Sequence, residues 1–174
     1  KSETEYTIPV VVHIVYNNAA QNLHDSVIFN QIQILNEDFN RENADTINMR
    51  SVFEPIVGSA KIRFQLATID PNGNPTNGIT RTQTSKTTFT SVMGLISGDM
   101  SENETVKSTA NGGINPWNQS RYLNIWVCNM AISFQGSEMT ALLGYATPPA
   151  NLPNWPAGTV SDLSDGVVIQ FNAF

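Results

Sequence analysis

The run from Ile8 to Tyr16, IPVVVHIVY, is apolar almost throughout and rich in β-branched residues, a pattern that predicts a strand buried on both faces of a sheet. Each face then needs a covering layer. After the polar segment Asn17 to Asn22, Ile28, Ile32, Leu35 and Phe39 recur at i, i+4, i+7 and i+11. This predicts a helix over Ser26 to Asn40, capped by Asp25 or Ser26, with one apolar stripe against the sheet. Asn30, Glu37, Asp38 and Arg41 fall on its outer, solvated face. In Lys61 to Ile69, Ile62, Phe64 and Leu66 alternate with Arg63 and Gln65, the mark of a strand with one wet face near a sheet edge. The Asp70 to Gly78 segment opens with a calcium-like Asp-x-Asn-x-Asn pattern. Its twelfth position is Arg81, where an EF-hand requires a glutamate, so it reads as a Gly/Asn/Pro hairpin or loop. Gly78 to Thr84 returns as a short strand.

Phe89, Val92, Met93 and Ile96 predict a helix of two or three turns, followed by an exposed polar loop from Ser97 to Asn115. Tyr122 to Cys128, Leu142 to Ala146 and Gly166 to Phe171 read as strands, with a Pro-rich connection from Thr147 to Ser164. No repeat and no interdomain linker interrupt this order. The prediction is an α/β fold, a single domain over residues 1–174 with a mixed twisted sheet and one long backing helix. The doubly buried strands ask for two covers, and only one long amphipathic helix exists. The Phe89 segment covers less than a helix, so a second helical layer is missing and an apolar patch that promotes pairing or aggregation is expected.

Composition narrows the function. Nine basic against fifteen acidic side chains give a net charge of −6, with no basic footprint for nucleic acid. No apolar run reaches the roughly 20 residues of a membrane helix, and Lys1-Ser2-Glu3 is not the start of a signal peptide. The one cysteine, Cys128, excludes an internal disulfide framework and leaves a bridge to another chain open. Within its apolar strand it reads as a small buried hydrophobe. The triplets Asn103-Glu-Thr and Asn118-Gln-Ser fit an extracellular protein. His13 in a strand and His24 before a helix read as structural, and the Gly-x-Ser-x-Gly elbow and Gly-rich phosphate loops are missing. Asp25, Asp45, Asp99, Asp162 and Asp165 leave a carboxylate-based hydrolase open. These residues alone name no reaction.

The strings IPVVVHIVYN (Ile8 to Asn17), QIQILNEDFNRENADT (Gln31 to Thr46), FQLATIDPNGNPTNGITRT (Phe64 to Thr82), RYLNIWVCNM (Arg121 to Met130), LLGYATPP (Leu142 to Pro149) and DGVVI (Asp165 to Ile169) add what the residue types lack. In this order, over nearly the whole chain, they resemble the N-terminal half of the pappalysin family of secreted metzincin zinc metalloproteases, of the ulilysin type. The resemblance implies an upper subdomain with a twisted sheet and a backing helix. The family's next element is an active-site helix carrying HExxHxxGxxH, and a methionine-containing turn comes later. That motif does not occur in these 174 residues. The resemblance therefore implies zinc in the intact enzyme with its ligands outside this chain, and no metal or catalytic residue within it. The partners it implies are a peptide or protein substrate and the C-terminal half, with no peptide cleavage by this chain alone. Calcium sites of relatives are not carried over. By position, Leu142, Leu143, Gly144, Tyr145 and Ala146 resemble the rim strand that pairs antiparallel with an extended substrate. The alternative is a non-catalytic module that binds peptides or another subunit.

Overall fold

The apolar run at the start of the chain becomes β1 (Tyr6–Tyr16), and Val10 to Val15 within it, His13 included, are fully buried. The computed structural model describes residues 4–134, 137–140, 142–149 and 165–174. After β1 come α1 (Asp25–Asn40), β2 (Ile62–Leu66) and β3 (Ile79–Gln83). The short helices α2 (Val92–Ser97) and α3 (Ser101–Glu104) precede β4 (Leu123–Cys128), and the small antiparallel pair of β5 (Ile132–Phe134) and β6 (Ser137–Met139) follows it. β7 (Gly144–Thr147) and β8 (Gly166–Gln170) complete the order. Among the described residues, six strands make one sheet in the order β2-β1-β4-β8-β7, with β3 also on β1. All pairings in it are parallel except that of β7 with β8.

β2 and β3 share the same side of β1. β2 pairs with Tyr6 to Val10 and β3 with Val12 to Tyr16, both parallel, so the second strand prolongs the line of the first instead of turning back. The Asp70 loop is an excursion between them. The Asp70 carboxylate accepts from the backbone N–H groups of Asn72 and Asn74 at 2.9 and 2.8 Å, and Ile69 bridges Pro75. Where the chain rejoins β1, Gly78 has φ +73°, and a Cβ there would stand 2.7 Å from the Ala67 nitrogen. Only glycine satisfies both conditions.

α1 forms where the periodicity predicted it, with a different cap. His24 holds the N-cap position, its Nδ1 accepting from the Ser26 N–H at 3.2 Å, while Asp25 sits in the first turn and pairs with Arg81. Ile28 and Ile32 are buried against Val10, Val12, Ile14 and Phe64, and Phe39 lies at the exposed end of the stripe, edge-on to Phe64. The helix also closes one edge of the sheet. Asn36 accepts from Phe64 N–H at 2.7 Å and donates to Phe64 C=O at 2.9 Å, and Asn40 donates to Ile62 C=O at 2.8 Å. Side-chain amides thus satisfy the outer backbone groups of β2, which an edge strand would otherwise leave to solvent.

The opposite face departs from expectation. No second long helix covers it among the described residues, yet Val15, Trp126, Cys128, Met130 and Val168 are buried there against Phe89 and Val106, with Ile114 half-buried beside them. The cover is the segment from Thr87 to Trp117, whose stretch Ser97 to Asn115 is therefore packed and partly helical rather than an exposed loop. Few apolar side chains suffice because polar groups anchor the backbone: Trp126 donates to Ile114 C=O, Asn103 to Thr90 Oγ1, and Phe89 N–H to Asn129 C=O. Of the four apolar residues assigned to the short helix, Phe89 precedes it and enters the core. Met93 and Ile96 are 71% and 75% exposed. Cover is uneven on the α1 face instead, where Leu123, Val167, Ile169 and Phe171 are half-buried beside the buried Ile125 and Val127. The row of partly open apolar side chains thus lies on the side that already carries a helix.

Candidate functional site

Among the described residues, β7 is the one strand of the large sheet that runs against the others, and it forms the edge opposite β2. Gly144 faces Ile169, Tyr145 faces Val168, Ala146 faces Val167 and Thr147 faces Gly166. The next pair along the ladder, Leu143 with Gln170, is hydrogen-bonded, since Gln170 N–H donates to Leu143 C=O at 2.8 Å. Hydrogen-bonded and non-bonded pairs alternate in an antiparallel ladder. Leu143, Tyr145 and Thr147 therefore turn their N–H and C=O groups toward β8, whereas Gly144 and Ala146 turn theirs outward. Among the described residues, nothing donates to or accepts from those outward groups. Among the described residues, the β2 edge is sealed by asparagines and the β7 edge is not.

Of the five residues assigned to the rim, Gly144, Tyr145 and Ala146 lie in β7. Leu142 and Leu143 precede it: Leu142 packs against the second-face core and Leu143 is 64% exposed. Thr147 belongs to the strand and was not anticipated. A Cβ on Gly144 would stand 2.9 Å from Val168 C=O, so the close approach of β7 to β8 at this point requires glycine.

Behind β7 lies a charged cluster that nothing in the hydropathy pattern announced. The side chain of Lys107 is 2% exposed and its Nζ is 3.0 Å from Glu104 Oε1. It also donates to Thr147 Oγ1 at 3.3 Å and stands 5.2 and 5.5 Å from the ring centres of Tyr145 and Trp126. Burial lowers the lysine's pKa, against the opposing pull of Glu104. Burial raises that of Tyr145, and the neighbouring Glu104 charge adds to the rise. Asp165 is raised by burial, with Lys107 opposing. A groove of about 570 Å³ opens at the far end of β7, between Thr147 to Pro149, Arg121 and the start of β8.

The remaining candidates are structural. His13 Nε2 lies 3.0 Å from Asn124 Oδ1 and its Nδ1 lies 2.7 Å from Thr80 Oγ1. Asn124 Nδ2 donates to Trp117 and Tyr122 carbonyls, so its Oδ1 is the acceptor and Nε2 carries the proton. Burial lowers the pKa of His13 to about 4, so the ring is neutral and both nitrogens are engaged. With His24 spent on its cap, the imidazoles of this chain do not fit a zinc site, and no three potential ligands converge among the described residues. Cys128 is fully buried, which pushes its thiol pKa far up and removes it from the surface where a bridge to another chain would form. Asn103 is buried and its amide donates to Thr90, so it is no glycan acceptor in the folded chain, whereas Asn118 is exposed. Asp162 lies outside the described residues.

A mostly parallel sheet with an antiparallel edge strand and one backing helix is the arrangement that the resemblance to the metzincin metalloproteases implied. Comparison with solved structures makes this specific. The chain is 48% identical to mature mirolysin of Tannerella forsythia in complex with a cleaved peptide, with a TM-score of 0.78 over 100% of this chain and 55% of that one. It is 47% identical to mirolysin in complex with compound 9, with a TM-score of 0.78 over 99% and 55% of the two chains. A promirolysin mutant of Tannerella forsythia is 47% identical, with a TM-score of 0.79 over 98% and 48%. No family model matches, and no curated protein does. The chain thus belongs with the mirolysin-type metzincins, and it spans about half the length of the structures it matches, consistent with the N-terminal half that the resemblance implied.

Proposed function

We propose that this chain is the substrate-rim half of a secreted, mirolysin-like zinc endopeptidase. It supplies the backing helix and the strand that aligns an extended peptide, while the zinc ligands belong to a C-terminal half outside these residues. The observation that carries this reading is the antiparallel edge of β7, unpaired among the described residues, where Gly144 and Ala146 turn their backbone groups outward. An incoming strand pairs there through main-chain hydrogen bonds, which accept many sequences. The relative bound to a cleaved peptide supports a peptide as the ligand. The half-buried Leu123, Val167, Ile169 and Phe171 beside α1 are the apolar surface against which the other half packs.

Alone, the chain holds no stoichiometric zinc and cleaves nothing. Metal analysis of the dialysed 174-residue chain tests this, and one tightly held zinc per chain overturns it. Ala146→Pro tests the rim, because proline deletes one outward N–H and leaves the ladder to β8 intact. Peptide binding is expected to weaken by about tenfold with thermal stability unchanged. Undiminished binding refutes the rim assignment. Backbone capture by itself needs no metal, so the same edge also suits a module that binds peptides without cutting them. Peptidase activity on covalent or non-covalent addition of a zinc-binding half selects the endopeptidase.

A further inference from the structure

We infer that Lys107 is a positioning residue that clamps the rim strand β7 onto the sheet and so sets the geometry of its peptide-binding edge. The inference rests on the rim reading for its consequence, and on separate observations for its geometry. A lysine is costly to bury, and here it lies at the end of the stretch from Ser101 to Lys107, whose other buried residues are Asn103 and Val106. Among the described residues, its ammonium bonds to two elements at once. Glu104, at 3.0 Å, belongs to the covering segment, and Thr147 Oγ1, at 3.3 Å, belongs to β7. The same ammonium faces the rings of Tyr145 in β7 and Trp126 in β4, where a cation is attracted to the π faces. β7 is four residues long and, among the described residues, bonded on one side only, so the ladder to β8 alone holds it loosely. Lys107 adds two β7 side chains, Tyr145 and Thr147, whose own backbone groups point inward. The outward groups of Gly144 and Ala146 are thereby held in register without being used.

The test compares wild type with Lys107→Met by hydrogen exchange resolved to single amides, together with binding of an extended peptide to the same chain. Methionine fills the volume, and Glu104, about one-third exposed, keeps access to water, so global stability is expected to change little. The Tyr145 and Thr147 amides are expected to exchange about tenfold faster while those of β4 stay protected, and peptide binding is expected to weaken about fivefold. Unchanged exchange in β7, or equal acceleration throughout the sheet, overturns the inference. Accelerated β7 exchange with undiminished peptide binding, in a protein where Ala146→Pro is also silent, leaves the clamp standing and removes the rim reading. Should Lys107→Met fail to fold, Thr147→Val removes the rim-side acceptor alone. It is expected to raise β7 exchange about threefold, and no rise counts against the clamp.

Discussion

His13 makes this protein sensitive to mild acid, and the size of the effect follows from its surroundings. The ring is fully buried, bonds Thr80 and Asn124, and packs 5.3 Å from the Trp126 ring. Its pKa falls from 6.5 to about 4 because burial penalises the imidazolium. The unfolded chain therefore takes up the proton first as pH drops. The stability that comes from keeping the ring neutral is complete above the unfolded value, fades as pH falls from 6.5 toward 4, and is gone below that. A shift of this size corresponds to about 3 kcal/mol in all, of which about 2 kcal/mol is lost between roughly pH 7 and pH 5. Glu42, Asp70 and Asp99, whose pKa values are lowered by hydrogen bonds to the carboxylate, act at lower pH, and Asp165, raised by burial, is common to wild type and variant and cancels between them. The assay is denaturant unfolding of wild type and His13→Gln at several pH values across this window. The variant is expected to start about 1–2 kcal/mol less stable, from lost ring contacts, and to lose about 2 kcal/mol less than wild type on acidification. Equal losses in the two proteins would refute the argument.

Two further outcomes follow from packing. A Cβ on Gly113 would stand 1.9 Å from Val106 C=O, so Gly113→Ala forces the covering turn away from the Trp126 face. Thermal or denaturant unfolding should show a loss on the order of 3 kcal/mol or more, and a near-neutral variant would mean the turn relaxes freely. Cys128 should resist a thiol reagent in the native chain and react with one equivalent after denaturation, as read by absorbance or mass. Rapid native labelling would show that the second-face core opens.

The regular parts of the fold were written in hydrophobic periodicity. β1, α1, β4 and β8 repeat apolar residues at the spacing that burial demands, and the quoted strings identified the metzincin type that the solved structures bear out at 47–48% identity. The region from Ser97 to Asn115 resisted such reading. Its single deeply buried aliphatic, Val106, sets no period, and the polar Asn103 and Lys107 are buried with partners outside the stretch, Thr90 and Thr147, with Glu104 also beside the lysine. The cap of α1 went to His24 instead of Asp25 because Arg81, on a strand 56 residues away, engages the aspartate.

By itself, then, the amino-acid order determined which segments must be buried strands and helix, and to which kind of protein they belong, because burial and local spacing leave their mark residue by residue. Tertiary structure alone decided that β2 and β3 form one broken line and that the Thr87 to Trp117 segment covers the second face. It also decided that Gly144 and Ala146, not their neighbours, present the free edge, and that Lys107 stands behind it. Each of those facts depends on which strand lies beside which and in what register, and pairing across tens of residues leaves no local pattern to read.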